Sequence, residues 1–531
     1  MLRYVSRSEA IVWVETDEPC ELDVLGHRQR TFRVQRHHYG LVAVRGLEPG
    51  TTTAYEVRLD GELVWPEPDS PFPPSTIRTL GGDRIRLVFA SCRTAAPHEP
   101  PWTGSPDADP DRGRDLDALW AFTLRMAETP REQWPDLMLM LGDQVYADEV
   151  SPRTRAFIRS RRDTAVPPHE EVADFEEYAM LYRESWSDPV IRWFLSTIST
   201  SMIFDDHDVH DDWNISVSWL AEYRAKEWWD ERIVAALASY WIYQHLGNLP
   251  LEELERDELF RRVREVDDAW DVLAPWWYKA DRETDGARWS YARDLGGAHL
   301  VVIDSRAGRL PDGRREMVDD DEWRWITEQA QRKADHLLLA TSLPWLLPHG
   351  PHGLEAWNEA VCAGAWGTRF VRLAEWMRRR ADLEHWPAFA ATFAKLQRLI
   401  LEIARGGVPA TVLVLAGDVH FSYLAPVDAP GLVSRVYEIT CSPLRNPLRR
   451  GMRTLGRFAA SRVGGAIGTA LARAAGVPPP EVRWQLESGP WFDNVIATLD
   501  LEGRDAVLHV EHTSAGSPRD PRLETLFRRE L

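Results

Sequence analysis

Cysteine is scarce in this chain: Cys20, Cys92, Cys362 and Cys441 are spread over 531 residues, with no CxxC pair. That excludes a dense disulfide framework and reads as free thiols in a reducing compartment. Long apolar runs are also missing. No stretch reaches the roughly 18 apolar residues of a membrane span. The start, Met1-Leu2-Arg3-Tyr4-Val5-Ser6-Arg7, has neither the apolar core of a signal peptide nor a twin-arginine pair. The expectation is a soluble cytoplasmic protein with no transmembrane segment. Positive charge is in deficit as well. A net charge of −20 is the wrong sign for non-specific attraction to nucleic acid or an anionic membrane, so no nucleic-acid partner is expected. An anionic small molecule would need a local source of positive charge. Internal repeats and low-complexity tracts are absent.

What the chain has in abundance is acid in one place. Phe204-Asp205-Asp206-His207-Asp208-Val209-His210-Asp211-Asp212-Trp213-Asn214 holds five aspartates and two histidines in eight consecutive positions. Carboxylates a few ångströms apart repel by about 1 to 4 kcal/mol per pair, depending on the local dielectric. Cations bound by oxygen and imidazole ligands relieve that repulsion. The alternative, a solvated acidic loop, is disfavoured by the apolar run Ser201-Met202-Ile203-Phe204 that feeds it and by other Asp/His motifs that also follow apolar runs.

Within residues 1–80, positions 8 to 80 alternate apolar and polar, as in Ala10-Ile11-Val12-Trp13-Val14, with turn residues between the runs. This spacing predicts a small all-β sandwich similar to a fibronectin type III module, with a structural or docking role. The proline-rich stretch 66–74 is its linker. From residue 84 the pattern becomes strand, helix, strand, the signature of an α/β fold. Apolar strands are expected at 84–90, 136–141, 199–204, 299–303, 337–340 and 411–415, with a helical cap over about 154–290. A helix of small and basic residues is predicted over 449–475 and a hairpin around Glu502-Gly503-Arg504. Many of the 25 tryptophans fall in helical-looking stretches, where packing is the leading role.

Four motifs sit at strand ends: Phe89-Ala90-Ser91-Cys92, Gly142-Asp143-Gln144-Val145-Tyr146-Ala147-Asp148, the 205–212 cluster, and Gly417-Asp418-Val419-His420. Ligands of α/β layers gather beyond the carboxyl ends of strands. In this order, with the later Asp304-Ser305-Arg306, the motifs resemble the PhoD-like alkaline phosphatase family (phosphodiesterase/alkaline phosphatase D) of the calcineurin-like metallophosphoesterases. The resemblance runs from about residue 84 to Asn446.

That resemblance implies a four-layer fold, two stacked mixed β-sheets flanked by helices, over residues 81–531. It implies a phosphoric ester hydrolase with a bimetal iron (Fe3+) and calcium site, other divalent metals being possible. Asp143 would bridge the ions, Tyr146 would be a phenolate ligand, and Cys92 would stand where most relatives have aspartate. Asp206 would bind the second ion, with Asp418 and His420 completing the set. His207 would donate the proton or contact the transition state, and Asp208 would orient it. A metal-activated hydroxide would attack phosphorus. No serine nucleophile with an adjacent base is present.

The wider superfamily carries another histidine between the last two motifs, and residues 339–344 have none. His349 and His352 are nearby alternatives. Without that nitrogen the second site is rich in oxygen, which favours calcium over zinc. Arg306 is a candidate phosphate-binding residue, an Asp304–Arg306 ion pair being the structural alternative. Monoester and diester substrates both fit the motifs. A silent metal-binding scaffold is the alternative class, disfavoured because a scaffold needs no proton donor beside its ions. Oligomeric state leaves no trace in the sequence.

Overall fold

The computed structural model describes residues 1–283, 287–517 and 520–531. Residues 284–286, inside the expected cap, lie outside the described residues.

Each strand of the N-terminal module alternates between two environments. Two four-stranded antiparallel sheets form there: Leu2–Val5, Glu9–Thr16, His37–Arg45 and Phe32–Val34 in one, and His27–Arg30, Glu21–Val24, Val57–Leu59 and Glu62–Trp65 in the other. Ala10 and Val12 point into the module's own core with Leu22, Val24 and Val57. Ile11 and Trp13, the intervening residues, belong to the large core of the rest of the chain. One strand feeding two cores is why the run at 10–14 reads as nearly continuous apolar sequence. The module is therefore docked. Polar contacts reinforce the docking: Trp13 Nε1 donates to the Ile242 carbonyl at 3.0 Å, and the Tyr55 hydroxyl donates to the Ser196 carbonyl at 2.6 Å. The buried Arg3 guanidinium also reaches Asn248 Oδ1 at 3.2 Å.

Beyond it stand two mixed sheets. The first runs Ser199–Ile203, Leu137–Leu141, Arg84–Ala90, Val495–Glu502, Asp505–Ser517, Asp520–Glu530, with its first three strands parallel. The second is built on Ala298–Ile303, His336–Thr341, Thr411–Ala416 and Arg435–Thr440, all parallel. The antiparallel strands Tyr291–Asp294 and Ser422–Asp428 flank these four. Period-two alternation explains their stacking. Leu300, Val302, Leu338, Ala340, Leu413 and Leu415 share a core with Leu87, Phe89 and Leu139 of the first sheet. Their neighbours Val301, Ile303, Leu337, Leu339, Val412 and Val414 pack outward under the helices Asp320–Ala330 and Ala390–Gly406. The result is the α/β fold with two stacked mixed sheets flanked by helices.

Helices from Pro152–Arg161 to Trp270–Arg282 occupy the stretch between the second strand of the first sheet and the second sheet, interrupted by the strand Ser199–Ile203. The helix Trp229–Tyr240 passes into one π-helical turn, Trp241–His245, a wider turn often found near functional sites. The helix expected over 449–475 is two, Arg450–Ala460 and Arg462–Ala474. They are divided at Ser461, whose hydroxyl accepts from Gly464 N and so caps the second helix.

Candidate active site

Strands that end together bring their next residues together. Ala90 leads to Cys92, Leu141 to Asp143, Ile203 to Asp206 and Ala416 to Asp418. Backbone bonds lace these ends: Cys92 N to the Gly142 carbonyl at 3.1 Å, Gly417 N to the Ser342 carbonyl at 2.9 Å, and Ala147 N to the His207 carbonyl at 2.9 Å. Two glycines make the approach possible. A Cβ on Gly142 would stand 2.7 Å from Cβ of Asp205, and one on Gly417 would stand 2.4 Å from Cβ of Ser91. Cys92, Asp143, Asp418 and His420 all have positive φ, between 52° and 63°. Such backbone costs about 1–3 kcal/mol per residue and persists where the surroundings hold it, which is characteristic of ligand clamps.

The donor atoms fall into three overlapping groups, one of them Asp206, His207 and Asp211. Cys92, Asp143 and His420 each offer one atom within 4.8 Å of the others, and so do Asp143, Asp206 and Asp418. Asp143 is common to the latter two. Cys92 Sγ lies 3.3 Å and the Tyr146 hydroxyl 3.4 Å from Asp143 Oδ2. His420 directs Nδ1 to the Asn446 carbonyl at 2.7 Å, which leaves Nε2 for the site. Asn446 also donates to the Tyr146 hydroxyl at 3.2 Å.

Burial of so many anionic groups has an electrostatic consequence. Burial first, then the neighbouring carboxylates, holds the Asp143 carboxyl well above its ordinary value, and burial with Asp143 does the same to the Cys92 thiol and the Tyr146 phenol. Each would give up its proton readily only beside a cation. Asp143 Oδ1 is buried without a hydrogen-bond partner among the described residues, and Asp206 Oδ1, also buried and without a hydrogen bond, has the Arg306 guanidinium 3.2 Å away. Buried carboxylate oxygens of this kind, in one cluster with a thiol, a phenol and an imidazole, fit a pair of metal ions.

Three expectations from the sequence are corrected by the geometry. Asp208 does not touch His207. Its carboxylate accepts from Asp205 N at 2.9 Å and from Gln244 Nε2 at 3.0 Å, so it braces the loop, and burial pushes it up to about 7. The group on His207 is Asp148, with both oxygens at 2.9 and 3.0 Å from Nδ1. Although burial pulls His207 down, Asp148 and Asp206 hold it well above its ordinary value. Arg306 is fully buried and contacts Asp205 and Glu384, with Asp206 at 3.2 Å and Asp418 at 3.6 Å. Enclosed by four carboxylates, it is not free to grip a substrate phosphate. Its expected partner Asp304 instead accepts from the backbone N–H groups of residues 306–308.

The nearby histidines are elsewhere: His349 Nε2 bonds the Trp484 carbonyl at 2.9 Å, and His352 packs on Phe393 and Trp484. The imidazole beside the second group is His385. Its Nε2 is 2.9 Å from Asp418 Oδ2 and its Nδ1 is 2.7 Å from Glu355 Oε1. Asp148 was visible as the last residue of its strand-end motif. His385 follows a helix instead of a strand, so no strand-end signal marks it.

Two stacked mixed sheets with acidic, thiol and imidazole groups at their converging strand ends define the metallophosphoesterase class of α/β fold. Within it the family is specific: residues 120–462 match PhoD-like phosphatase, well over half of the chain, and the chain belongs to that family of phosphoric ester hydrolases. Residues 1–77 match a domain of unknown function, DUF7800. Comparison with curated proteins returned no match. Among solved structures, one titled "Structure of PhoD" is similar over 100% of this chain and 91% of that one, at 12% identity and a TM-score of 0.58, a likeness of fold.

Proposed function

We propose that the chain hydrolyses phosphoric esters, monoesters or diesters, at a two-metal site of iron and calcium type. The observation that carries this reading is the pair of donor groups sharing Asp143, with an imidazole clamped by a carboxylate beside them. Cys92, Asp143, Tyr146 and His420 would hold the first ion, and a thiol with a phenol suits trivalent iron. Asp143, Asp206 and Asp418 would hold the second, where oxygen donors suit calcium. When bound, such ions supply positive charge for the phosphoryl oxygens and acidify water.

The chain's own residues do the rest. Asp148 holds His207 protonated with Nδ1 engaged, so Nε2 presents a proton to the leaving-group oxygen. Asp208 and Gln244 fix the loop that carries Asp206 and His207. His385, backed by Glu355, holds Asp418, and Arg306 balances Asp205, Asp206 and Asp418 from behind. Turnover of chromogenic phosphate monoesters and diesters, before and after chelation, tests the reading. Equal turnover in metal-free protein would exclude it.

A further inference from the structure

The two helices after Asn446 invert the usual burial of a helical pair. Their small residues face inward. Gly464 and Gly468 lie on Gly350 and Gly353 of the helix His349–Cys362, so close that a Cβ on Gly353 would stand 2.3 Å from the Gly468 backbone. Their large apolar residues face out. Met452, Leu455 and Phe458 are 54%, 58% and 52% exposed, and Val463 and Ile467 are 59% and 49% exposed. The first three, at i, i+3 and i+6, form one stripe along Arg450–Ala460, a helix with no buried side chain. Single exposed apolar residues are ordinary, but five on adjoining helices are not. The helix Thr368–Arg380, which also packs on His349–Cys362, adds exposed Leu373 and Trp376.

The charge of this face is opposite to that of the chain. Between Glu438 and Glu481 there are seven arginines, of which Arg445 is buried and the other six lie on or beside the two helices, and no acidic residue, in a protein of net charge −20. Arg450, Arg457, Arg462 and Arg473 are exposed. Among the described residues only Arg453 of this segment is paired with an acid, Asp107. A stripe of large apolar side chains beside unpaired arginines is the composition of a helix lying in a lipid interface.

We propose that Arg450–Ala460 and Arg462–Ala474 dock the protein on an anionic lipid surface, the apolar stripe entering the headgroup boundary and the arginines meeting lipid phosphates. A nucleic acid would leave the apolar stripe without a complement. A symmetric contact with a second copy would set arginine against arginine. The face adjoins the candidate active site: Arg457 lies over the Phe492 ring at 5.2 Å, and Phe492 packs on Phe421, the residue after His420. Lipid docking does not depend on the esterase reading, because it needs no turnover.

Sedimentation of the full chain with phosphatidylcholine vesicles, and with mixed phosphatidylcholine–phosphatidylglycerol vesicles, tests the proposal. Binding is expected on the mixed vesicles, weakening with salt. The double variant Arg457→Gln/Arg462→Gln should bind them about tenfold or more less tightly. Leu455→Ser/Phe458→Ser should lose binding while keeping ester turnover in lipid-free buffer. Absence of binding to mixed vesicles, or equal binding by wild type and both variants, would overturn it. So would a lipid-free dimer that these substitutions dissolve, which would assign the face to a second copy.

Discussion

His207 Nδ1 lies 2.9 and 3.0 Å from the two oxygens of Asp148, and that carboxylate also accepts the Asp211 backbone N–H at 2.8 Å. The aspartate next to His207 in sequence, Asp208, faces away. Asp148 keeps His207 protonated well above its ordinary range. If the protonated form is the active one, the alkaline limb of the kcat profile reflects His207. Asp148→Asn is then expected to move that limb to lower pH and to cut kcat by about tenfold to a hundredfold. Asp208 is itself pushed up to about 7, so its amide substitute resembles the form already populated near neutrality. Asp208→Asn should leave the limb in place. Identical pH–rate profiles for wild type and Asp148→Asn would remove Asp148 from this role.

The thiol and phenol beside Asp143 give a spectroscopic prediction. With iron bound at Cys92, Asp143, Tyr146 and His420, phenolate-to-iron charge transfer should colour the protein, and Tyr146→Phe should bleach the visible band. Asp143→Ala should lower the content of both metals, since its carboxylate belongs to the donor groups of both. Metal analysis and absorption spectra check these outcomes. An unchanged band in Tyr146→Phe would assign the colour, and the ligand, elsewhere.

His385 joins Asp418 to Glu355 through its two ring nitrogens. Outer partners of this kind are worth about tenfold to a hundredfold in metal affinity. Glu355→Gln is therefore expected to weaken binding of the second ion by that factor while the visible band of the first persists. Titration with calcium, followed by turnover, makes the measurement.

Most of the fold was legible because the strands obey a period of two and end in motifs whose residues have few other reasons to follow an apolar run. Cys92, Asp143, Asp206, Asp418 and His420 were found in this way, and the structure brings them together. Adjacency in sequence was a poor guide to which carboxylate faces which base. The 205–212 loop turns between His207 and Asp208, and the partner comes from a motif 59 positions earlier. Arg306 read as a phosphate grip because Asp-Ser-Arg sits at a strand end. Its four carboxylate partners come from three distant segments, and no local pattern announces that convergence. His385 lies in a loop after Thr368–Arg380, where neither period nor neighbours distinguish it. The segment after Asn446 was legible as small and basic, but not that its large apolar residues face outward, because that follows from glycine contacts with a distant helix.

Arg306 and the proposed metal ions share one task, the neutralisation of buried carboxylates. Removing one partner from a buried ionic cluster costs about 3–5 kcal/mol. Arg306→Met should therefore lower the melting temperature strongly in chelated protein. Saturating metal should recover part of the loss, because ions that bind only the folded state stabilise it. Calorimetry with and without metal makes the comparison. An equal loss in both conditions would mean that Arg306 supports the fold independently of the ions.

The docked N-terminal module supplies a pH prediction of its own. His37, on the strand His37–Arg45, bonds Glu15 of the same module at 2.8 Å and Glu176 of the helix Phe175–Trp186 at 3.3 Å. Burial pulls the imidazole down, but the two carboxylates prevail and raise it from 6.5 to about 9. A histidine with a raised folded-state value contributes stability that is fully present below its unfolded value and is lost as pH rises through the folded one. The ion triad should thus hold the module to the helix Phe175–Trp186 below pH about 6.5 and release its contribution through pH about 9. Thermal unfolding of wild type and His37→Gln should differ most on the acid side of this window, and the gap should close on its alkaline side. A gap that stays constant across the window would show that His37 acts by packing alone.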